Sequence, residues 1–350
     1  MPDRPLVSVV VPAFNAEATL EATLRSAAAQ TWRHLEIVIV DDGSTDSTVE
    51  VARRFCESEP RSRLLSTGNR GAAAARNAGI AASRGEFVAF LDSDDLWHPQ
   101  KLEKQVATAL SDPAIGLVYS FYDCVDVQGN SIAGPQQFEV NGAAFWRHLY
   151  WNFVGSASGI FASRAALLEL GGFPESLRQG EDVVLQLQLA ARYRIACVPD
   201  VLMSYRQMEP SLSSDPEKMF EAWVEGVRML RQGGYLSDNR VTSWTFSRAR
   251  WGLAIRRLRR RDAVGAAAWL LRAFYEDPAR TLLNAARALA RVARADRSHW
   301  GERLTDRLDS SRMRRLAARD ERAAAARAVT KKPASAFPPA AGISVPGRST

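Results

Sequence analysis

Short, uninterrupted apolar runs alternate along the chain with stretches whose apolar residues recur every three or four positions. Residues 6–11 (LVSVVV) are apolar and β-branched, and Pro12, which has no N–H to give to a ladder, closes the run, the pattern of a strand buried on both faces. Leu20, Leu24 and Ala27 then fall at helical spacing. Residues 35–40 (LEIVIV) repeat the strand pattern, Asp41-Asp42-Gly43-Ser44 interrupts it, and a second helix is predicted from about Asp46. The cycle recurs as a short strand over 63–66, an alanine-rich helix over 71–82, and a strand over 86–91 (EFVAFL) that runs into Asp92-Ser93-Asp94-Asp95.

Such alternation predicts an α/β fold, a Rossmann-like, mainly parallel sheet with helices on both faces, in which ligands bind beyond the carboxyl ends of the strands. Three polar loops fall there, Phe14-Asn15-Ala16-Glu17, Asp41-Asp42-Gly43-Ser44 and Asp92-Ser93-Asp94-Asp95, and their convergence marks a candidate site. From Ile115 to about Arg206, strand patterns (IGLVYSFY, ASGIFA, RIACV, VLMSYR) mix with short helices, one starting near Glu181, as in the second half of the same domain. Beyond Pro216 the chain turns to alanine, arginine and leucine, with helices predicted at about 216–232, 240–259, 262–275 and 279–295 and a further exposed, charged one within 300–328. Lys-Lys-Pro, Phe-Pro-Pro and Gly/Ser/Pro content from Thr330 onward predicts disorder. Three segments result: a ligand-binding domain over 1–215, a basic α-helical region over 216–329 and a disordered tail over 330–350.

At 350 residues the chain can bury one large core and carry an appendage. Cys56, Cys124 and Cys197 follow no metal or paired-thiol spacing, and no run reaches the roughly 18 apolar residues of a membrane span, so a cytoplasmic protein is expected. The net charge of +7 is unevenly distributed: residues 1–215 hold 18 basic and 26 acidic groups, and 216–350 hold 28 and 13. The motif-rich half is thus acidic, which argues against nucleic acid as a partner. The basic helices fit either a solvated face or peripheral association with an anionic membrane surface at the inner face of the cell membrane.

Three aspartates within four residues after a buried strand are costly unless solvated or paired with a cation. Their hard oxygens suit Mg²⁺ or Mn²⁺, held by one or two carboxylates together with substrate phosphates. The alternative is an acidic helix cap, since Leu96-Trp97-His98-Pro99 leads toward a helix. Asp41-Asp42-Gly43-Ser44 also has the composition of a turn. Gly171-Gly172-Phe173-Pro174-Glu175 and then Gly180-Glu181-Asp182 open an amphipathic helix with two carboxylates, favourable near a positive helix end. Trp146, Tyr150, Trp151 and Phe153 cluster ahead of a strand, as core or as rings that line a ligand cleft.

Four strings, VSVVVPAFNAEATLEATLRSAAAQTWRHLEIVIVDDGSTDST, GAAAARNAGI, GEFVAFLDSDDLWHPQKLEKQ and the Gly-Gly-Phe to Glu-Asp segment, occur in the order found in family 2 of the inverting glycosyltransferases, and residues 6–215 resemble that family. The resemblance implies a GT-A fold and transfer of a sugar from a nucleoside diphosphate sugar, a UDP-sugar above all, to a glycan or lipid-linked acceptor. Pro12, Ala13, Phe14, Glu17, Asp41 and Asp42 would hold base and ribose, and Asp92, Ser93 and Asp94 the ribose, the diphosphate and a divalent metal, with Asp94 and Asp92 as ligands. Arg76 of Arg76-Asn77-Ala78-Gly79 would offset diphosphate charge or pair with an aspartate of Asp92–Asp95. Asp182 would be the general base, supported by Glu181, and the loop from Tyr205 to Ser213 would close over the diphosphate, with Arg206 reaching phosphate. Where many members carry a histidine in that loop this chain has Met208, no ligand for a hard metal, so the metal would rest on the aspartates and the diphosphate. A nucleotidyltransferase would need a Gly-rich basic loop after the first strand, which AFNAE is not; a catalytically silent scaffold of the same fold is the other reading.

Overall fold

The structure is a computed structural model that describes residues 4–207, 215–236, 239–279, 281–282, 284–285 and 313–325. β1 (Val7–Ala13) is buried at every position. Pro12 lies inside the strand, but the pairing of β1 with the neighbouring strand 87–90 ends at Val10, so the missing N–H breaks no rung there. α1 (Leu20–Ala28) buries Leu20, Leu24 and Ala27 as their spacing predicts. There follow β2 (Leu35–Asp41), α2 (Thr48–Ser58), β3 (Ser62–Ser66), α3 (Ala72–Ala82) and β4 (Phe87–Phe90).

The residues after Asp95 form a two-residue strand, β5 (Leu96–Trp97), before α4 (Lys101–Leu110) begins. The acidic run therefore does not cap a helix. β6 (Ile115–Val125), β7 (Ser131–Gln136), α5 (Phe145–Tyr150), a 3₁₀ turn (Ala157–Gly159), β8 (Phe161–Ser163), α6 (Arg164–Leu170), α7 (Glu181–Arg192) and β9 (Arg194–Arg206) complete this part. The strand order is β3-β2-β1-β4-β8-β6-β9-β5, with β7 beside β6. β3, β2, β1 and β4 run parallel, as expected from the βα alternation; β8, β5 and β7 are antiparallel to their neighbours, which makes the sheet mixed. RIACV and VLMSYR are one strand, β9, paired along β6 with register shifts.

Two apolar clusters sandwich the sheet, one around α1, α2 and α4, the other around α3, α5 and α7. The second continues into α8 (Pro216–Gln232) and α9 (Asn239–Arg259) through Phe220, Val227, Leu230, Val241, Phe246 and Leu253. Asp215 caps α8 by accepting from the N–H groups of Glu217 and Lys218, and Pro216 stands at the first turn where no N–H is needed. α10 (Ala263–Glu276) packs on α9. Residues 313–325 form a helix, but not the fully exposed one expected: Leu316 and Asp320 are buried, and Asp320 accepts from the Trp146 N–H (2.7 Å) and from Arg147 Nε (3.0 Å). Most of the helix expected over 279–295 and the tail over 330–350 lie outside the described residues.

Candidate active site

The loops at the carboxyl ends of β1, β2 and β4 and the start of α7 surround a cleft of about 870 Å³. Pro12, Ala13, Phe14, Asp42, Arg76, Asp92, Ser93, Asp94, Glu181 and Asp182 all line it. Parallel strands bring these loops to one edge because each βα unit returns its chain to the same side of the sheet. Phe14 is 46% exposed, an aromatic face left open at the end of a buried strand.

The four residues after β4 divide between two tasks. Asp95 turns inward and is fully buried; its carboxylate accepts from Ser158 Oγ (2.6 Å) and from the Arg206 N–H (3.0 Å). Burial, with Asp92 and Asp94 beside it, pushes its pKa well above the carboxylate range. It fastens the loop to the 3₁₀ turn and to β9, and so serves structure. Asp92 and Asp94 face the cleft. Burial and the charge of Asp92 raise Asp94 to about 6, while Arg206 and Arg76 pull it down. Among the described residues no side chain hydrogen-bonds the Asp94 carboxylate.

Arg76, on α3 and 6% exposed, bridges the two sides of the cleft: Nη2 donates to Asp92 (2.6 Å) and Nη1 to Glu181 (2.7 Å), while the guanidinium lies 5.3 Å over the Phe173 ring. Of the two roles open to it in the sequence, the ion pair with the acidic loop is present. Against burial, these carboxylates raise its pKa further above the ordinary arginine value. Its neighbour Asn77 explains why Arg-Asn-x-Gly and Gly-Gly-Phe occur together. The Asn77 side-chain amide accepts from the Phe173 N–H (2.8 Å) and donates to the Phe173 carbonyl (2.8 Å), so the two strings are docked on each other.

Glu181 and Asp182 occupy the first turn of α7, and they differ in environment. Glu181 is buried and committed to Arg76, whereas Asp182 forms no ion pair among the described residues. Burial and the neighbouring Glu181 push Asp182 up to about 7, with Arg76 opposing. A carboxylate poised there exchanges protons near neutral pH.

Three other expected residues stand outside the cleft lining. Glu17 accepts from the Ser47 N–H (2.9 Å) just ahead of α2, and Asp41 accepts from the N–H groups of Gly43 and Ser44, the turn its composition favours. Asp42 does line the cleft, holding the loop before α3 by accepting from Thr67 Oγ1, the Arg70 N–H and the Gly71 N–H. Arg206 is buried behind Asp94 with its Nε unpaired. Asn69, Tyr122, Asn152 and Arg178 line the cleft without having been singled out. Of these only Asn69 carried a signal, following Gly68 in a turn and adopting a left-handed φ of 43° that asparagine tolerates. Met208 and the rest of the expected closing loop to Ser213 lie outside the described residues.

The fold is that of a GT-A-like domain. Residues 1–349 of Staphylococcus aureus TarS in complex with UDP-GlcNAc superpose with a TM-score of 0.58 at 20% identity, covering 78% of this chain and 92% of that one. A mannosyltransferase of Pyrobaculum calidifontis in complex with GDP-Man and Mn²⁺ gives 0.56 at 22%, covering 95% and 89%. Residues 8–171 match the model of glycosyl transferase family 2, and the chain carries a domain of that family. Relatives include the Escherichia coli UDP-Glc:alpha-D-GlcNAc-diphosphoundecaprenol beta-1,3-glucosyltransferase WfgD, 38% identical over 40% of this chain and 55% of its own length. An uncharacterized glycosyltransferase of Haemophilus influenzae is 36% identical over 37% of this chain. The chain spans about half the length of these two relatives, 55% and 52%.

Proposed function

We propose that the chain transfers a sugar, with inversion, from a nucleoside diphosphate sugar of the UDP class to an acceptor hydroxyl in glycan or glycolipid synthesis. The observation that carries the reading is the Arg76 bridge, which sets a pair of cleft-facing aspartates and a carboxylate poised near neutrality around one void. Asp182 takes the proton of the acceptor hydroxyl; the oxygen bonds to the anomeric carbon from the face opposite the diphosphate, and the bond to the diphosphate breaks with its electron pair. No covalent enzyme intermediate is needed.

Asp94 and Asp92 fit a divalent cation, Mn²⁺ or Mg²⁺, because they offer hard oxygens to the cleft and no side chain among the described residues donates to Asp94. Bound there with the donor phosphates, such a cation supplies neutralisation of the leaving diphosphate. Phe14 supplies a face on which a base stacks. The test is nucleotide-sugar turnover and donor binding in Asp94→Ala with Mn²⁺ or Mg²⁺: loss of both with the fold intact is expected, and wild-type turnover would overturn the reading. Donor binding without any turnover, in the wild type and with every acceptor tried, would favour a silent scaffold.

The acceptor's lipid linkage rests on α10. No helix among the described residues is long and apolar enough to cross a membrane. Val264, Leu271 and Tyr275, 84%, 70% and 88% exposed, fall on one face of α10, with Arg261 and Arg272 beside them. An apolar stripe flanked by arginines suits the headgroup region of an anionic bilayer. Flotation of the full chain with phosphatidylglycerol vesicles, lost in Leu271→Glu, is expected; equal flotation of both proteins would count against it.

A further inference from the structure

Among the described residues, five carboxylates and two guanidiniums, those of Arg76 and Arg178, line the cleft. Arg76 is taken up by Asp92 and Glu181. Arg178 is exposed and forms no ion pair or hydrogen bond with any described residue, although it shares one void with all five carboxylates.

The backbone that carries Arg178 is held on both sides. Glu175, three residues earlier, accepts from Asn77 Nδ2 (3.0 Å) and pairs with Arg70 (2.8 Å), so the carboxylate nearest in the chain is already occupied. Leu177 is buried, and its N–H donates to the Pro174 carbonyl (3.2 Å). Gly180 then turns the chain into α7 at a φ of 72°, where an added Cβ would meet Ala222 Cβ of α8 at 3.9 Å. A cation is thus fixed at the cleft with no protein group to neutralise.

The two walls of the cleft decide which substrate group it serves. Arg76 joins the acidic loop after β4, with Asp92 and Asp94, to the start of α7, with Glu181 and Asp182. In a displacement with inversion the diphosphate leaves from one face of the anomeric carbon and the acceptor hydroxyl enters from the other. The diphosphate belongs with Asp92 and Asp94, where Arg206 stands buried behind the loop with its Nε unpaired. The acceptor belongs with Asp182, and Arg178 lies on that wall, four residues before the base.

We infer that Arg178 receives a phosphoryl group of the acceptor, which makes the acceptor a sugar carried on a phosphate and not a neutral glycan. The inference rests on the glycosyl-transfer reading and names the substrate class of the same site. An acidic cleft repels an anionic acceptor unless a cation meets it, and a guanidinium offers parallel N–H donors that match two oxygens of a phosphate. The surroundings agree with a lipid carrier. Met219 of α8 lines the cleft together with Arg178, and the adjacent Phe220 meets Trp269 of α10 edge-on with ring centroids 5.6 Å apart. The start of α7, α8 and α10 therefore succeed one another through direct contacts, as ring, phosphate and lipid chain do in such an acceptor.

The test is calorimetry on the full chain, loaded with saturating UDP and Mn²⁺ so that the donor's phosphate positions are filled. The probes are decyl diphosphate, decanoate and decyl glucoside, each below its micelle concentration. Decyl diphosphate is expected to bind, and Arg178→Gln to weaken it about tenfold, the loss of one charge-assisted hydrogen bond. Tm and UDP affinity stay at wild-type values, because the side chain has no partner in the fold, and binding of decyl glucoside does not change. No binding of decyl diphosphate by protein that binds UDP, or equal binding by wild type and Arg178→Gln, would overturn the inference. A loss confined to UDP affinity would also overturn it and give Arg178 to the donor. Decanoate held as tightly as the diphosphate, and as sensitive to Arg178, would sink the phosphate assignment. A protein that binds no UDP, yet loses decyl diphosphate in Arg178→Gln, would keep the phosphate site and sink the donor reading.

Discussion

Arg76 and Glu181 meet at 2.7 Å although 105 residues separate them in the chain, and the same guanidinium reaches Asp92 from its other nitrogen. The pair fastens the start of α7, and with it Asp182, to the acidic loop after β4. Only a planar fork spans two carboxylates in this way. In Arg76→Lys one of the two contacts is lost, and in Arg76→Ala both are, leaving Glu181 buried without a counter-charge. Breaking such a buried pair costs about 3 kcal/mol, at the low end because the Asp92 side chain is 20% exposed to cleft water. Urea denaturation should show this loss for Arg76→Ala with a smaller one for Arg76→Lys, and both should depress kcat. Full activity in Arg76→Lys would mean that the bridge does not position Asp182.

Asp94 and Asp95 are adjacent yet should respond in opposite directions. Asp95→Ala strands the Ser158 hydroxyl donor and the Arg206 N–H, at about 1–3 kcal/mol for each unsatisfied group. Asp94→Asn removes a carboxylate whose folded pKa, about 6, lies above its unfolded value. Ionising such a group favours the unfolded chain, so stability is lost as pH rises from about 4 through 6. The asparagine variant escapes that loss and should melt at or above the wild-type temperature at pH 7.5 in metal-free buffer. It should also lose any upward shift of Tm on adding Mn²⁺ with UDP. Thermal denaturation of both variants checks the pair of outcomes, and a lower Tm for Asp94→Asn would contradict it.

These opposite fates mark where sequence stops being informative. Leu20, Leu24 and Ala27 could be placed from spacing alone, because helical periodicity is local, and the loops after β1, β2 and β4 could be brought together because parallel βα units leave little choice of side. That Asp95 turns inward depends on Ser158 and on Arg206, 111 residues away, a pairing no local rule contains. The same holds for Glu17, whose carboxylate is engaged at Ser47, and for Asp320, buried against Trp146 from a helix whose composition reads as solvated. Phe138 carried no pattern at all, since its neighbour Trp151 is near only once β7 folds along β6.

Gly172 shows the docking of two sequence strings as a steric requirement. Its φ is +74°, and a Cβ built there would stand 2.3 Å from Asn77 Oδ1, the atom that accepts from the Phe173 N–H. Gly172→Ala therefore meets both backbone strain and a displaced Asn77, and a destabilisation of about 2 kcal/mol or more is expected. Asn77→Ala should cost a similar amount by orphaning the Phe173 N–H and carbonyl. Since both changes act on one contact, the double variant should lose less than the sum of the two. A double-mutant cycle in urea measures this, and strict additivity would show that the two positions are uncoupled.

As the proposed base, Asp182 should set the pH dependence of transfer. Burial and Glu181 hold its pKa near 7, and the base must be ionised to take the acceptor's proton. The protonated fraction grows as pH falls, so kcat/KM should drop about tenfold per unit below pH 7, with a plateau above it. Asp182→Asn cannot accept the proton, and its rate should fall by about 10²–10⁴-fold with donor affinity retained. Moving Glu181 moves the limb. In Glu181→Gln the neighbouring negative charge is gone while the side chain can still accept from Arg76, so the apparent pKa should fall below 7 and the acidic limb shift to lower pH. A pH–rate profile of the two proteins, with donor binding followed separately by calorimetry, decides the matter. A limb that stays in place in Glu181→Gln would assign the titration to a group other than Asp182.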